Sequence, residues 1–164
     1  MDFLEKDLEE IIFNADSEAL EEKGLQVNGK RFRQLRIGNY GIADMVTFDK
    51  SMGNEDKIGY IITVYELKKD KIGISAFLQA VNYVRGIKSY LLSRNSKIPV
   101  SFAIVLVGRS LDKDGSLCFL TDLIYSGQNF RKELSSLEFY TYSYCIDGIE
   151  FSYESGYDLI KKGF

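Results

Sequence analysis

The chain has 164 residues, of which 45% are hydrophobic and 27% charged, a composition that predicts one packed globular domain and excludes disordered, collagen-like and coiled-coil proteins. It contains no histidine, which excludes Ser-His-Asp hydrolysis and His-ligated zinc. The two cysteines, Cys118 and Cys145, and the absence of a long apolar run favour a cytoplasmic protein without a membrane span or signal peptide.

The formal net charge of −3 conceals an uneven distribution. Residues 1–22 contain nine acids and one base, residues 23–97 contain six acids and fourteen bases, and residues 98–164 contain nine acids and six bases. A local positive field can attract a polyanion even when the whole chain is slightly acidic. The alternative is a solvated surface of mixed charge.

The first predicted element is an amphipathic helix over residues 2–13, with Leu4, Leu8, Ile11 and Ile12 on one side. A short helical piece at 18–22 ends at Lys23-Gly24. Alternating residues then predict strands over 25–27 with 31–37, over 42–48 and over 60–67. A polar loop over 49–59 joins the last two strands as an antiparallel pair.

The second half begins with a helix of about five turns over 75–93. After Pro99, residues 100–107 predict a strand covered on both faces, followed by a polar turn at 112–115 and an apolar run at 117–125. A strand pair is expected at 137–144 and 149–153, and a short final helix at 157–162. Without repeats or a linker, residues 1–164 predict a single α/β domain, a mixed β-sheet flanked by α-helices.

Charged side chains fall at the ends of two neighbouring predicted strands. Side chains two apart on a strand share a face, so Glu66 and Lys68 project together, and an antiparallel hairpin can bring Asp44 opposite them. Two carboxylates suit Mg²⁺, which lowers the pKa of a bound water, while Lys68 could orient that water or offset negative charge on a phosphodiester.

A structural ion pair is the alternative for the same three residues, because charges at strand ends are common. The predicted strand context favours a functional site, since Glu66 and Lys68 continue the apolar face formed by Ile62 and Val64. Charged groups on such a face are costly unless they are paired or bind a metal.

Three motifs together resemble the PD-(D/E)xK nuclease superfamily, in the subgroup that adds Q-x-x-x-Y. They are Gly41-Ile42-Ala43-Asp44, Glu66-Leu67-Lys68 and Gln79-Ala80-Val81-Asn82-Tyr83. The first half is also similar to the nuclease domain of archaeal mismatch-type endonucleases, from Leu8-Glu9 through Gly24-Leu25 to Gly38-Asn39-Tyr40-Gly41. The likeness covers roughly residues 5–90, within a motif-bearing core of 1–97, and leaves 98–164 unassigned.

This resemblance implies a restriction-endonuclease-like fold with Asp44 and Glu66 as metal ligands and Lys68 as the catalytic amine. It also implies that a glutamate of the first helix, Glu5 or Glu9, joins the metal site. The proline of the family motif is Ala43 in this chain, a substitution that is common in such a divergent superfamily.

The helix residues Gln79 and Tyr83 are four apart and share a face, so both could support the site. The alternative is a core tyrosine beside a surface glutamine. Phosphate-binding candidates flank the acids and comprise Arg31, Arg33, Arg36, Lys69 and Lys71. Exposed tyrosines such as Tyr40 or Tyr90 could stack on an unpaired base or belong to the core.

We therefore expect a Mg²⁺-dependent nuclease acting on DNA, with Mn²⁺ as a substitute ion. Cutting both strands at one site would need two copies, which favours a homodimer, or two events. The rival is a catalytically silent protein of the same fold that binds nucleic acid or protein. A carbohydrate-active carboxylate pair is less favoured, because the surrounding charge is positive.

Overall fold

A computed structural model of the chain describes residues 4–52, 58–112 and 134–158. It contains helices α1 (Glu5–Asn14), α2 (Ser17–Glu22) and α3 (Ile74–Ser93), and a 3₁₀ turn at Gly38–Tyr40. Its strands are β1 (Lys30–Arg36), β2 (Ile42–Met52), β3 (Ile58–Leu67), β4 (Lys71–Ile72), β5 (Val100–Gly108), β6 (Ser110–Leu111), β7 (Leu134–Cys145) and β8 (Gly148–Asp158).

Six strands form one mixed sheet in the order β1-β2-β3-β5-β7-β8. β1, β2 and β3 form an antiparallel meander, β3, β5 and β7 are parallel, and β8 returns antiparallel to β7. The parallel step from β3 to β5 is connected through α3, as such a crossover requires. The predicted α/β class with a mixed, helix-flanked sheet is confirmed.

Each face of the sheet is covered by helix. On one face, α3 packs Phe77, Ala80 and Val84 against the sheet residues Ile62 and Ile104. On the other face, Leu8 and Ile12 of α1 and Leu20 of α2 pack against Tyr65 and Val105. Because the side chains of β3 and β5 alternate between two apolar layers, both strands are rich in buried hydrophobic residues. No helix among the described residues is long and apolar enough to cross a membrane.

Four details of the predicted elements differ from the structure. The predicted loop over 49–59 is wrong at its ends, because β2 continues to Met52 and β3 begins at Ile58 through the pairs Asp49↔Ile61 and Met52↔Ile58. Residues 25–27 belong to no strand, although Leu25 and Val27 are buried. The predicted final helix is wrong at Tyr157, which pairs with Leu137 in β8. β4 and β6, which form a separate two-stranded sheet, were not predicted.

The remaining predicted elements either agree with the structure or lie outside the described residues. Helices α1, α2 and α3 and the strands of the main sheet lie within a few residues of their predicted positions. Most of the predicted turn at 112–115, the whole run at 117–125 and the end of the final helix lie outside the described residues. The shared apolar face of α1 includes Leu8 and Ile12, which are fully buried, whereas Leu4 is exposed.

Candidate active site

The ends of β2 and β3 bring Asp44 and Glu66 together. Met45 pairs with Tyr65 in the antiparallel register, so Asp44 and Glu66 are the next positions along the same two strands and project from one face. Asp44 is held there by a hydrogen bond of 2.9 Å from the Leu67 backbone amide to its Oδ2. The predicted convergence of the two carboxylates therefore occurs in the structure.

Glu66 continues the row of Ile62 and Val64 beneath α3 and is only 1% exposed. Its Oε1 accepts a hydrogen bond of 2.6 Å from Lys68 Nζ. Its Oε2 has no hydrogen-bond partner. Among the buried side-chain oxygen and nitrogen atoms of the described residues, it is the only one that lacks such a partner. An unsatisfied carboxylate oxygen in a buried position is costly, and a bound cation would satisfy it.

Burial and the neighbouring acid shift the protonation equilibria of both carboxylates. Burial, followed by the negative charge of Asp44, raises the pKa of Glu66 to about 7 against the Lys68 hydrogen bond and charge, which lower it. Burial also raises the pKa of Asp44, although the Leu67 amide and Lys68 oppose the change. A buried glutamate whose ionisation is opposed by a neighbouring acid leaves a site that a divalent cation would neutralise.

Lys68 lies just beyond the end of β3, and its backbone amide donates 2.8 Å to the Val107 carbonyl of β5. Burial lowers the pKa of Lys68, but the hydrogen bond to Glu66 and the charges of Glu66, Glu5 and Asp44 outweigh it and raise the pKa above its ordinary value. Lys68 is therefore an ammonium at neutral pH in the metal-free protein.

The two glutamates of α1 have different neighbours. Glu5 Oε1 lies 3.8 Å from Lys68 Nζ, and its Oε2 accepts a 3.2 Å hydrogen bond from the Lys69 amide. Glu9 is buried, accepts a hydrogen bond from Gln34 Nε2 and lies 4.0 Å from Arg33 Nε. Both negative charges act on Asp44, but Glu5 is the one in contact with Lys68.

Gln79 and Tyr83 of α3 are joined by a hydrogen bond of 2.8 Å from Gln79 Nε2 to the Tyr83 phenolic oxygen. Tyr83 is 3% exposed and belongs to the core beneath α3, whereas Gln79 is exposed. Burial raises the pKa of Tyr83, and the charges of Glu66 and Asp44 add to the effect. Tyr83 is thus a core tyrosine whose hydroxyl also lies within the electrostatic reach of the acids.

The predicted phosphate-binding residues fall into two groups. Arg31 and Arg33 face α1, and Arg33 stacks on the Phe13 ring with its Cζ 5.3 Å from the ring centroid. Arg36 and Lys71 are exposed, and Lys69 is half-buried. Arg33 is also exposed and Arg31 is half-buried, so the two groups differ in their contacts with α1 rather than in their exposure.

The Arg31 side chain forms hydrogen bonds at the C-terminal end of α1. Its guanidinium donates to the carbonyls of Ile12 at 3.0 Å and Phe13 at 3.3 Å, to the Ala15 carbonyl, and to Ser17 Oγ at 2.8 Å. A helix C-terminus exposes unsatisfied carbonyls and a partial negative charge, so a cation at this position stabilises the helix. These contacts favour a structural role for Arg31 over the predicted nucleic-acid contact.

Replacing Arg31 with alanine should therefore lower the free energy of unfolding by about 2–3 kcal/mol, because charge-assisted hydrogen bonds and the helix-end interaction are lost together. The matched control is Arg36→Ala on the same strand, which should change stability by less than about 0.5 kcal/mol. Urea denaturation of both variants measures the difference. Equal effects would show that Arg31 does not stabilise the junction of α1 and β1.

Three features of this site were not visible in the sequence pattern. The Leu67 amide that holds Asp44 is a backbone group, and Gln34, which binds Glu9, has a left-handed φ of 49°. Gly41 has a φ of 115°, and a Cβ at this position would lie 3.1 Å from Cε1 of Tyr83. The glycine in the Gly41-Ile42-Ala43-Asp44 motif is the one signal that could have indicated the close approach of Tyr83.

The acidic side chains of the site offer few ligands to a metal ion. Within residues 4–52, 58–112 and 134–158, no group of three or more acidic or cysteine side chains is arranged to hold one. Mg²⁺ requires fewer protein ligands, since one or two carboxylates with waters and substrate oxygens complete its shell. Asp44 and the unpartnered Oε2 of Glu66 fit that requirement.

Comparison with known proteins finds no matching family model, no matching curated protein and no matching solved structure. The resemblance to the PD-(D/E)xK superfamily therefore stays a prediction. The case for a function rests on the geometry of Asp44, Glu66 and Lys68.

Proposed function

We propose that this chain is a divalent-metal-dependent nuclease of restriction-endonuclease-like architecture that hydrolyses phosphodiester bonds of DNA. The observation that carries the proposal is the buried Glu66 carboxylate, which pairs with Lys68 through Oε1 while Oε2 is left without a partner beside Asp44. A purely structural ion pair would not need the second acid, since Asp44 raises the cost of ionising Glu66.

In this proposal Asp44 and Glu66 hold Mg²⁺ or Mn²⁺. The ion would supply Lewis-acid polarisation of the phosphoryl oxygens when bound. Lys68 keeps its proton and places a positive charge next to the reacting phosphate, where it stabilises negative charge that develops in the transition state. Glu5 fixes Lys68 from the opposite side and holds the Lys69 amide, so it positions the ammonium rather than contacting substrate.

Gln79 and Tyr83 complete the proposed site from α3. Their mutual hydrogen bond fixes the Tyr83 hydroxyl on the side of the acids. Gln79, which is exposed, offers an amide to a phosphate or sugar oxygen. The positions of α1 and α3 on opposite faces of the sheet let both helices contribute at the ends of β2 and β3.

The experiment is a cleavage assay on plasmid and single-stranded DNA with Mg²⁺, Mn²⁺ or EDTA. We expect cutting with either ion and none with EDTA. A second candidate function, a catalytically silent nucleic-acid-binding or interaction module, is favoured by the direct Lys68–Glu66 ion pair, which neutralises charge without a metal. Salt-sensitive DNA binding without cutting under any metal condition would support that candidate and contradict the nuclease.

A further inference from the structure

A groove of about 700 Å³ lies between β1, the 3₁₀ turn and α3. We call it the β1–α3 groove. Apolar side chains of Leu35, Ile37, Phe48 and Ile87 line it, together with Tyr40 and Tyr90. The two tyrosines are 38% and 57% exposed, so their rings remain accessible although they border an apolar surface.

Among the described side chains that line the groove, Arg36 is the one charged residue, and its charge is positive. Two of the segments that line it, residues 30–41 and 74–97, contain none of the 24 acids and eight of the 21 lysines and arginines, of which Arg31 and Arg33 face α1 instead of the groove. Arg94 adds a cation beside Tyr90, with its Cζ 5.3 Å from the ring centroid. This charge pattern disfavours a basic peptide and suits a polyanion.

Tyr40 is fixed in place by α3. A Cβ at Gly86 would lie 2.7 Å from ring carbons of Tyr40 and 2.5 Å from Cγ2 of Ile37, so only glycine permits this approach. The Asn82 amide also donates 3.1 Å to the Tyr40 carbonyl. Glycine is unfavourable in the middle of a helix relative to alanine, and here it lets an aromatic ring lie directly on the helix.

One end of the groove, at Tyr40, lies next in the chain to Gly41, which contacts Tyr83 of the candidate site. Gly41 directly follows Tyr40, and a Cβ there would lie 3.1 Å from Tyr83 Cε1. Along α3, Tyr83, Gly86 and Tyr90 recur at spacings of three and four and share one face, which spans about 10 Å from Tyr83 to Tyr90. A chain bound along the groove would therefore lead towards Asp44 and Glu66.

We infer that the β1–α3 groove binds an unpaired nucleic-acid strand, with bases stacked on Tyr40 and Tyr90 and a phosphate on Arg36. Aromatic rings in a cationic groove bind single strands because every base offers a stacking face, whereas a duplex keeps those faces inside its stack. This inference rests on the proposed function only in naming the substrate class of the nuclease. Binding itself does not require cleavage.

The test measures binding in EDTA, where no cleavage is expected, by fluorescence anisotropy of a labelled 12-nucleotide oligothymidine and of a blunt duplex of equal length. Wild type should bind the single strand more tightly than the duplex. Tyr90→Ala should weaken single-strand binding about 5- to 100-fold, and Tyr90→Phe should retain it. Arg36→Ala should reduce the salt dependence by about one phosphate contact.

The matched control is Tyr153→Ala on β8, because Tyr153 has the same 57% exposure and lies outside the groove. It should bind within twofold of wild type. Equal binding by wild type and Tyr90→Ala, or equal losses in Tyr90→Ala and Tyr153→Ala, would overturn the inference. So would sedimentation showing that Tyr90→Ala dissociates a dimer without changing DNA affinity, since the occupant would then be a second copy.

The same variants separate this inference from the nuclease proposal. If the protein binds single-stranded DNA through the groove but never cuts DNA, the inference about the groove stands and the nuclease proposal is contradicted. If wild type and Tyr90→Ala both cut single-stranded and duplex DNA at equal rates with a metal ion, the nuclease proposal stands and the inference about the groove is overturned.

Discussion

Replacing Lys68 with alanine should lower Mg²⁺-dependent DNA cleavage by about 10²- to 10⁴-fold, since a positioned catalytic group contributes a factor of this size. The ammonium is held 2.6 Å from Glu66 and 3.8 Å from Glu5, so its charge is already in place before substrate binds. Single-turnover cleavage at saturating DNA measures the loss in the chemical step. DNA affinity in EDTA should change far less than the rate.

Lys6→Ala provides the control for this variant, because Lys6 is exposed on α1 and has no role in the proposed site. It should cut DNA at the wild-type rate. Near-UV circular dichroism of Lys68→Ala verifies its tertiary structure, since the variant leaves Glu66 without its ion-pair partner. A folded Lys68→Ala protein that cuts as fast as Lys6→Ala would contradict the role of Lys68.

Glu66→Gln should have opposite effects on activity and on stability. The variant should lose metal-dependent cleavage, because an amide is a poor substitute for a carboxylate ligand. In EDTA at pH 8 it should be more stable than wild type, by about 3 kcal/mol at most, because the ionised Glu66 is buried with Asp44 as its neighbour.

The pH dependence of this difference follows from the direction of the shift. The pKa of Glu66 is raised from 4.5 to about 7 in the folded protein, so its contribution to wild-type stability is fully present below pH 4.5 and is lost as the pH rises through 7. The advantage of Glu66→Gln should therefore be small at pH 4.5 and grow up to about pH 8. Urea denaturation in EDTA across this range measures it.

Glu10→Gln is the matched control, since Glu10 is exposed on α1. Its stability difference from wild type should be small, because an exposed side chain makes little contribution to folding. If Glu66→Gln behaves like Glu10→Gln over the whole range, Glu66 does not carry the electrostatic cost that the proposed metal would relieve.

Periodicity was sufficient to predict the hairpin that forms the site. The apolar face of Ile62 and Val64 fixes which way Glu66 projects, and the length of the β2–β3 pairing then places Asp44 beside it. Register is strongly specified where one face is buried, because a slip by one residue would move every side chain to the other face. A sequence pattern can therefore locate such a pair of acids.

Contacts between α1 and β1 could not be predicted in the same way. Arg31 binds carbonyls at the end of α1, and Gln34 binds Glu9 across 25 residues of chain. These partners are set by tertiary packing, and local periodicity contains no signal for them. The alternating pattern of the strand predicted that Arg31 and Arg33 would bind phosphate in the same way. In the structure, each of them contacts different residues of the α1 region.

The errors in the strand boundaries have a related cause. Polar residues in 49–52 suggested a loop, but backbone pairing continues through Lys50↔Tyr60 and Ser51↔Gly59. The ladder uses main-chain groups, so polar side chains on its solvent-facing positions do not end it. β4 and β6 have two residues each, which is too short for any period to be visible.

The central claim is that Asp44 and Glu66 together bind one divalent ion, and titration of the metal-free protein with Mn²⁺ by calorimetry tests it most directly. We predict one site in wild type and in Glu10→Gln, with affinity reduced by about 100-fold or more in Glu66→Gln and Asp44→Asn. Mn²⁺ binding of equal affinity in all four proteins, or no binding to wild type at millimolar Mn²⁺, would contradict the claim.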